Sequence, residues 1–174
     1  MLLGFSRAWW IEPGRLLGGC YPGEPEPLAA GPKLTALLDA GVVRVLNLVE
    51  PDERPFGKPF VSYEPLLAAM AAERGAKVEV HRFPIPDLGL PEPGRMEAIL
   101  AAIRAEPGVV FVHCWGGHGR TGTVAGCWLR ERGLSAAAAF TAIAAARAHD
   151  AHLRGRESPE TGEQRRFVEL WGGM

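Results

Sequence analysis

The chain has 174 residues, of which 47% are hydrophobic and 22% are charged, so it is long enough for one domain, residues 1–174, with a buried core. Its formal net charge of -1 argues against nucleic acid or a membrane surface as a partner. Three cysteines are too few, and odd in number, for a disulfide framework, which favours a cytoplasmic location. There is no apolar run of about 18 residues to predict a membrane span, and the N-terminal segment makes a poor signal peptide.

The first half of the chain alternates predicted strands and helices. Residues 9–19, WWIEPGRLLGG, predict two short strands around a Pro-Gly turn. Apolar residues at helical spacing and a terminal glycine predict a helix over 34–41, and the β-branched run 42–49 predicts a buried strand. A proline-rich loop over 51–60 then leads into a helix predicted over 63–76.

The second half continues the alternation. Residues 77–85 predict a strand that enters a proline-rich loop, and the apolar run 109–113 predicts another strand. Helical spacing predicts four helices, over residues 95–108, 119–133, 134–150 and 158–171. This order predicts an α/β fold, with a central, mostly parallel twisted sheet of about four to five strands flanked by helices.

The stretch VVFVHCWGGHGRTGT, residues 109–123, carries the clearest chemical signal. The apolar strand ends at His113 and Cys114, and ligands of such sheets bind beyond the carboxyl ends of the strands. The glycines let successive N–H groups curl inward, and a helix beginning near Arg120 points its positive end into the same hollow. We therefore expect a cradle of N–H groups that binds a phosphate dianion, with a stabilised thiolate at its floor. The Arg120 guanidinium would donate paired hydrogen bonds to two of the phosphate oxygens. This arrangement suits nucleophilic attack on phosphorus.

His113, Cys114, five further residues, Arg120 and Thr121 match the His-Cys-x5-Arg-Ser/Thr signature of the cysteine-dependent protein tyrosine phosphatase superfamily. The run GHGRTGT resembles the dual-specificity branch, which dephosphorylates phosphotyrosine and often phosphoserine or phosphothreonine. Other stretches resemble further parts of small microbial members, in the expected order: WWIEPGRLLGGCYPG, FPIPDLGLPEPG and ESPETGEQRRFV.

The resemblance implies a role for each matching residue. Cys114 would be the nucleophile that forms a phosphocysteine, Arg120 would bind phosphate, and Asp87 would be the general acid. His113 would orient the loop, and the Thr121 hydroxyl would hydrogen-bond the sulfur. The backbone N–H groups that hold phosphate would come from Trp115, Gly116, Gly117, His118, Gly119 and Arg120.

Some of these residues have a structural alternative. Gln164 is a candidate for positioning the hydrolytic water, but it also fits a solvated position on its helix. Asp87 also fits an ordinary turn residue. Cys127 is expected in the core, and Cys20 is expected to be structural, with a role as disulfide partner of an oxidised Cys114 left open.

No metal and no cofactor are expected. A zinc site built from His113, Cys114 and His118 would lack a fourth ligand and would quench the thiolate. The loop also differs from a nucleotide P-loop, because no lysine precedes its threonine.

The predicted function is a metal-independent phosphomonoester hydrolase acting on a phosphorylated protein or a small phosphomonoester. A small soluble phosphate and a phosphoinositide are alternative substrates, although Trp115 and His118 stand at loop positions where lipid-directed relatives carry lysines. A phospho-binding module without turnover and a sulfurtransferase are alternatives from other classes. The oligomeric state is open, as is the question of which aromatic residues line the pocket mouth, among Trp9, Trp10, Phe56, Phe60 and Tyr63.

Overall fold

Five strands form one mixed sheet within residues 4–172, the part of the chain that the computed structural model describes. The strands are β1 (Ala8–Glu12), β2 (Leu16–Gly19), β3 (Val42–Asn47), β4 (Glu79–Arg82) and β5 (Val109–His113). Their order across the sheet is β1-β2-β5-β3-β4, with β1 and β2 antiparallel and every other neighbouring pair parallel. The predicted mostly parallel α/β sheet is therefore confirmed, with the hairpin at one edge as its antiparallel part.

Helices cover both faces of the sheet. Within the described residues they are α1 (Gly31–Asp39), α2 (Glu64–Glu73), α3 (Pro93–Ala105), α4 (Arg120–Glu131), α5 (Ala136–Arg147) and α6 (Gly162–Leu170). Two 3-10 turns, Pro27–Ala30 and Pro55–Gly57, lie in the loops. Among the helices of residues 4–172, none combines the length and apolar character needed to cross a bilayer.

The central strand β5 contributes to a hydrophobic core on each face, because successive side chains of a strand point to opposite sides. Val110 and Val112 pack into the cluster formed with α3, α4, α5 and α6. Val109 and Phe111 pack into the cluster formed with α1 and α2. Each fully buried side chain of this kind contributes about 1.5–3 kcal/mol, so the strand that ends at the site is held firmly on both faces.

Several predicted boundaries differ from the structure, among them those of α1, α3, α5 and β4, which shift by two to three residues at one or both ends. Two further boundaries differ because side chains cap the backbone. Helix α6 begins at Gly162 rather than at 158, since Thr161 Oγ1 accepts a 3.1 Å hydrogen bond from Gln164 N and Gln164 Oε1 accepts one of 3.2 Å from Thr161 N. Strand β3 ends at Asn47 rather than at 49, where Asn47 Oδ1 accepts a hydrogen bond from Val49 N at 2.9 Å.

The segment that carries α6 packs closely on α4 because two α4 positions lack a side chain. A Cβ on Gly126 would lie 2.7 Å from Val168 Cγ1, and one on Gly122 would collide with Ser158 Oγ. This approach brings Glu160 and Gln164 beside Gly119, the residue before α4. The C-terminal segment therefore reaches the loop that carries the predicted phosphate site.

Candidate active site

The loop between β5 and α4 lies at the carboxyl edge of the parallel strands. His113, the last residue of β5, pairs with Gly19 of β2 and Asn47 of β3. Gly117 has a φ of 78°, and a Cβ there would lie 2.6 Å from Cys20 N, so the loop needs glycine both for its conformation and for its contact with the end of β2. Its N–H donates a 3.3 Å hydrogen bond to Cys114 Sγ, as expected of an inward-facing loop amide.

Cys114 lies at the floor of a pocket of about 440 Å³ and is only 3% exposed. Helix α4 begins at Arg120, so its positive N-terminal end faces the same pocket. The walls include Arg120, Asp87, Phe56, Trp115, Arg156 and Glu160. The structure therefore brings together the three residues on which the predicted chemistry depends, Cys114, Arg120 and Asp87.

The Arg120 guanidinium is 2% exposed and is held by acceptors on several sides. Glu53 accepts from it with both oxygens, at 2.6 Å from Nη1 and 2.9 Å from Nη2, and the Ile85 carbonyl accepts from Nη1 at 3.1 Å. Burial opposes the charge, but the Glu53 hydrogen bonds and the nearby Cys114 and Asp87 raise the pKa of Arg120. The end of the guanidinium is thus committed to Glu53, and Nε and the outer N–H of Nη2 are the donors left for a phosphate.

Asp87 stands at the corner of a tight turn in which Gly89 N donates to Pro86 O at 2.9 Å. The next residue, Leu88, has a φ of 57°, a left-handed conformation that is strained for a leucine. The Asp87 side chain is 49% exposed, and its Oδ1 lies 2.9 Å from Arg120 Nη2. The turn therefore presents this carboxylate at the pocket.

His113 is fully buried, and burial lowers its pKa to about 3, so its imidazole is neutral near pH 7. Nδ1 lies 3.2 Å from the Cys114 carbonyl, which can only accept, so Nδ1 carries the proton. Nε2 then accepts from the Tyr63 hydroxyl at 2.7 Å, and burial raises the pKa of Tyr63, which keeps that hydroxyl protonated. His113 therefore ties the loop through hydrogen bonds to Tyr63, the residue before α2.

Thr121 makes a different contact from the expected one. Its hydroxyl accepts from Cys114 N at 2.9 Å and donates to Gly19 O at 3.3 Å. The expected hydrogen bond to the sulfur is replaced by one to the backbone of the same cysteine, because that buried N–H needs an acceptor. Thr121 thus fixes the start of the loop against β2.

Gln164 is fully buried, so its alternative as a solvated residue is wrong. Its Oε1 accepts from the N–H groups of Glu160 and Thr161, at 3.1 and 3.2 Å. Its Nε2 donates to Gly89 O at 3.1 Å, two residues beyond Asp87. Gln164 therefore joins α6 to the turn that carries the predicted acid.

Glu160 adds a second carboxyl group to the pocket. Burial, together with the charge of Asp87, raises its pKa. Its Oε2 lies 3.4 Å from His118 Nδ1, and burial lowers the pKa of His118 to about 4. Two carboxyl groups and a neutral imidazole thus belong to residues that line the same cavity.

Several residues of the site carry no local signal in the sequence. Glu53 and Tyr63 are 67 and 50 residues away from their partners Arg120 and His113. The capping role of Gln164 had a usable signal, since Thr-x-x-Gln before an apolar run is a capping-box pattern.

Of the five aromatic residues left open for the pocket mouth, only Phe56 lines the pocket, and Trp10 is partly buried against the core on the α1–α2 face. Phe56 and Trp115 line the pocket, with ring centroids 5.3 Å apart, whereas Trp9 and Tyr63 are buried. Phe60 lines a neighbouring cavity. Cys20 and Cys127 are both free and buried, and burial raises the pKa of each thiol.

Comparison with known proteins agrees with this site. Residues 6–168 match the family model of the PTP-SAK, or Swiss Army Knife protein, DSP-PTPase phosphatase domain. The active form of Tk-PTP is 30% identical, with a TM-score of 0.69 over 96% of this chain and 97% of that one.

Two more distant structures share the fold. Kinase associated phosphatase, solved with its catalytic-site cysteine replaced by serine, is 19% identical, with a TM-score of 0.65 over 89% of this chain and 84% of that one. PTPMT1 in complex with PI(5)P is also 19% identical, with a TM-score of 0.67 over 95% and 94% of the two chains. The family model spans nearly the whole chain, and the chain therefore belongs to the PTP-SAK family of dual-specificity-type protein tyrosine phosphatase domains.

Proposed function

We propose that the chain hydrolyses phosphomonoesters through a phosphocysteine formed on Cys114. The observation that carries this proposal is the convergence of Cys114 Sγ, the buried Arg120 guanidinium and the Asp87 carboxyl group on one pocket of about 440 Å³. A module that only bound phosphate would have no use for a proton donor at this place. No metal is needed in this scheme, because Arg120 and the loop amides supply the positive field.

In the first step the phosphoryl group lies over Sγ, and its non-bridging oxygens accept from the loop amides and from the free donors of Arg120. The thiolate attacks phosphorus, the S–P bond forms and the P–O bond to the leaving group breaks. Protonated Asp87 gives its proton to the departing oxygen. When phosphate binds, one of its oxygens must displace Asp87 Oδ1 from Arg120 Nη2.

In the second step a water molecule attacks the phosphocysteine. Asp87, now ionised, takes a proton from that water, the S–P bond breaks, and the thiolate and inorganic phosphate are released. The Gln164 amide is engaged with Gly89 and Glu160, so we assign it the placement of the Asp87 turn rather than direct contact with the water.

The rim of the pocket favours an aryl phosphate. The rings of Phe56 and Trp115 meet edge to face at the mouth, where they would contact the ring of a phosphotyrosine. We therefore propose phosphotyrosine-containing protein as the first substrate class, and the cytoplasm as the location, because a free thiol nucleophile requires a reducing compartment.

A phosphoinositide is the second candidate substrate. The loop has no lysine, but Arg7 and Arg156 reach the pocket from other parts of the chain and add charge for further phosphates. PTPMT1, which shares the fold, was solved with PI(5)P.

Replacement of the nucleophile tests the mechanism. Cys114→Ser should abolish turnover of p-nitrophenyl phosphate, and acid quenching of wild-type protein with 32P-labelled substrate should trap label that is absent from the variant. Cys127→Ala, which removes a buried thiol away from the pocket, should retain both the turnover and the trapped label. Label trapped equally in Cys114→Ser would reject the phosphocysteine, and thiocyanate formation from thiosulfate and cyanide would favour a sulfurtransferase. Comparison of phosphotyrosyl peptides with phosphoinositides separates the two substrate classes.

A further inference from the structure

A buried arginine outside the proposed catalytic machinery lacks partners for most of its donors. Arg147, the last residue of α5, is 1% exposed. Its Nη1 donates to the Arg156 carbonyl at 3.0 Å, but Nε and Nη2 have no hydrogen-bond partner among residues 4–172. A buried charge of this kind is unfavourable unless something compensates it.

Neighbouring groups compensate the Arg147 charge only in part. Asp150 is the carboxylate that acts most on the charge of Arg147, but its Oδ1 accepts from the N–H groups of His152 and Leu153, at 2.7 and 3.2 Å. The Trp9 ring centroid lies 6.0 Å from the Arg147 Cζ, at the limit of a cation–π contact. Burial lowers the pKa of Arg147 only to about 10, so the guanidinium remains charged near pH 7.

Arg147 lines a cavity of about 340 Å³ that differs from the catalytic pocket. Two more arginines, Arg156 and Arg165, line the same cavity, against one acidic residue, Glu157. The Arg165 Cζ lies 4.3 Å from the Phe140 ring centroid, a stacking contact that favours this position of its side chain. Ser158 and Thr141 also line the cavity, but their hydroxyls donate to the carbonyls of His118 and Ala137, so the arginines are the donors available to an anion.

Two contacts connect this cavity to the active site. Arg156 lines both cavities. Ser158 Oγ donates a 2.7 Å hydrogen bond to the carbonyl of His118, a residue of the catalytic loop. An anion in this cavity would therefore lie beside groups that shape the phosphate site.

We propose that this cavity is a second oxyanion site that binds a phosphate group through Arg147, Arg156 and Arg165. Guanidinium groups bind phosphate by paired N–H donors, and three of them around one hollow match the charge and tetrahedral shape of that group. The phosphate can be free inorganic phosphate or a second phosphoryl group on a substrate. The site itself does not depend on the catalytic proposal, because binding there requires no turnover.

Inorganic phosphate binding to the full chain, measured by isothermal titration calorimetry, tests the site. Arg120→Met removes the guanidinium of the catalytic pocket, and we expect this variant still to bind one phosphate per chain. In that background, Arg165→Gln should weaken phosphate at least about tenfold, through loss of a charge-assisted contact. Arg166→Gln should leave it unchanged, because Arg166 is exposed and pairs with Glu169. Arg147→Met should abolish phosphate binding at this cavity. The deciding variant is Arg165→Gln, because Arg165 lies on the cavity wall and its replacement leaves the buried Arg147 intact.

Loss of all phosphate binding in Arg120→Met would overturn the proposal, and so would equal weakening by Arg165→Gln and Arg166→Gln, which indicates general surface charge. Kinetics on a singly and a doubly phosphorylated peptide of one sequence then identify the source. If Arg165→Gln raises KM only for the doubly phosphorylated peptide, the substrate supplies the second phosphoryl group. If KM is unchanged for both while phosphate affinity falls, the ligand is free phosphate.

Discussion

Asp87 Oδ1 lies 2.9 Å from Arg120 Nη2, so the proposed proton donor touches the proposed phosphate-binding group. Glu53 accepts one hydrogen bond from each Nη atom, which leaves the second N–H of Nη2 to be shared between Asp87 and an incoming phosphate oxygen. Asp87 therefore has two opposite effects: as a carboxylate it competes with the anion for Arg120, and as a protonated acid it donates a proton to the leaving group.

The catalytic effect predicts a dependence on the leaving group. Asp87→Ala should reduce kcat/KM by about 10²–10⁴ for alkyl or phenyl phosphates, whose oxygens leave poorly without a proton, and far less for a strongly activated aryl phosphate. A series of aryl phosphates, assayed with wild type and variant, measures this slope. Glu92→Gln, an exposed acid on the same loop, should behave as wild type. A loss that is uniform across the series would mean that Asp87 shapes the loop and does not donate the proton.

The competition between Asp87 and phosphate for Arg120 predicts that loss of Asp87 strengthens phosphate binding, although it weakens catalysis. Asp87→Ala should bind inorganic phosphate about two- to fivefold more tightly than wild type, the usual range for a half-exposed ion pair that no longer has to be displaced. The measurement is the inhibition constant of phosphate against an activated aryl phosphate. Weaker inhibition in the variant would show that Asp87 supports the anion and does not compete with it.

The contact between Glu53 and Arg120 predicts a positioning effect. Glu53→Gln keeps the size of the side chain but removes the charge that holds both Nη atoms, and we expect kcat/KM to fall about 10- to 100-fold as the buried guanidinium loses its charge-assisted partner. Steady-state kinetics with phenyl phosphate measures the loss. Asp52→Asn, the exposed neighbour, is the matched control and should retain activity. Equal losses of kcat/KM in Glu53→Gln and Asp52→Asn would mean that the negative charge of their loop matters and that the Glu53–Arg120 contact does not.

The buried imidazoles predict how stability changes with pH. The pKa is lowered from 6.5 to about 3 in His113 and to about 4 in His118, so between pH 6.5 and 4 the unfolded chain binds protons that the folded chain does not. The contribution of both groups to the free energy of unfolding is therefore complete above pH 6.5 and is lost as the pH falls.

Each group adds up to about 1.4 kcal/mol per pH unit to this slope near pH 5. His113→Asn and His118→Asn should each reduce the slope by about one proton, and the double variant by about two, in urea unfolding from pH 4.5 to 6. An unchanged slope in His113→Asn would mean that this imidazole titrates alike in the folded and unfolded chain.

The elements that were predicted well are those whose signals are local. The strand at 109–113 has the predicted bounds, because an apolar β-branched run meets a glycine-rich turn at a sharp boundary. The Cys114 loop and Arg120 follow within seven residues, so spacing alone identifies them. Periodicity, by contrast, wrongly assigned the four residues before α6 to the helix, because capping side chains decide where the helix starts.

The supports of the loop were hard to predict because they come from distant parts of the chain. Tyr63 has the appearance of a surface aromatic beside a proline-rich loop, and only the fold brings its hydroxyl to His113. Gln164 lies among charged residues, and its burial depends on the glycine-bearing face of α4. Thr121 lies within the recognised motif, but the motif does not show that its hydroxyl accepts from the buried N–H of Cys114, which has to find an acceptor in the fold.

The close packing of α4 against the 158–168 segment has a consequence for how the protein is made. The sheet strands and the Cys114 loop come earlier in the chain than Glu160, which lines the pocket, and Gln164, which holds the Asp87 turn, so these two residues leave the ribosome later. A nascent chain before that stage would hold its thiol in a half-built site. Catalytic competence would then be acquired only when the 158–168 segment docks on Gly122 and Gly126.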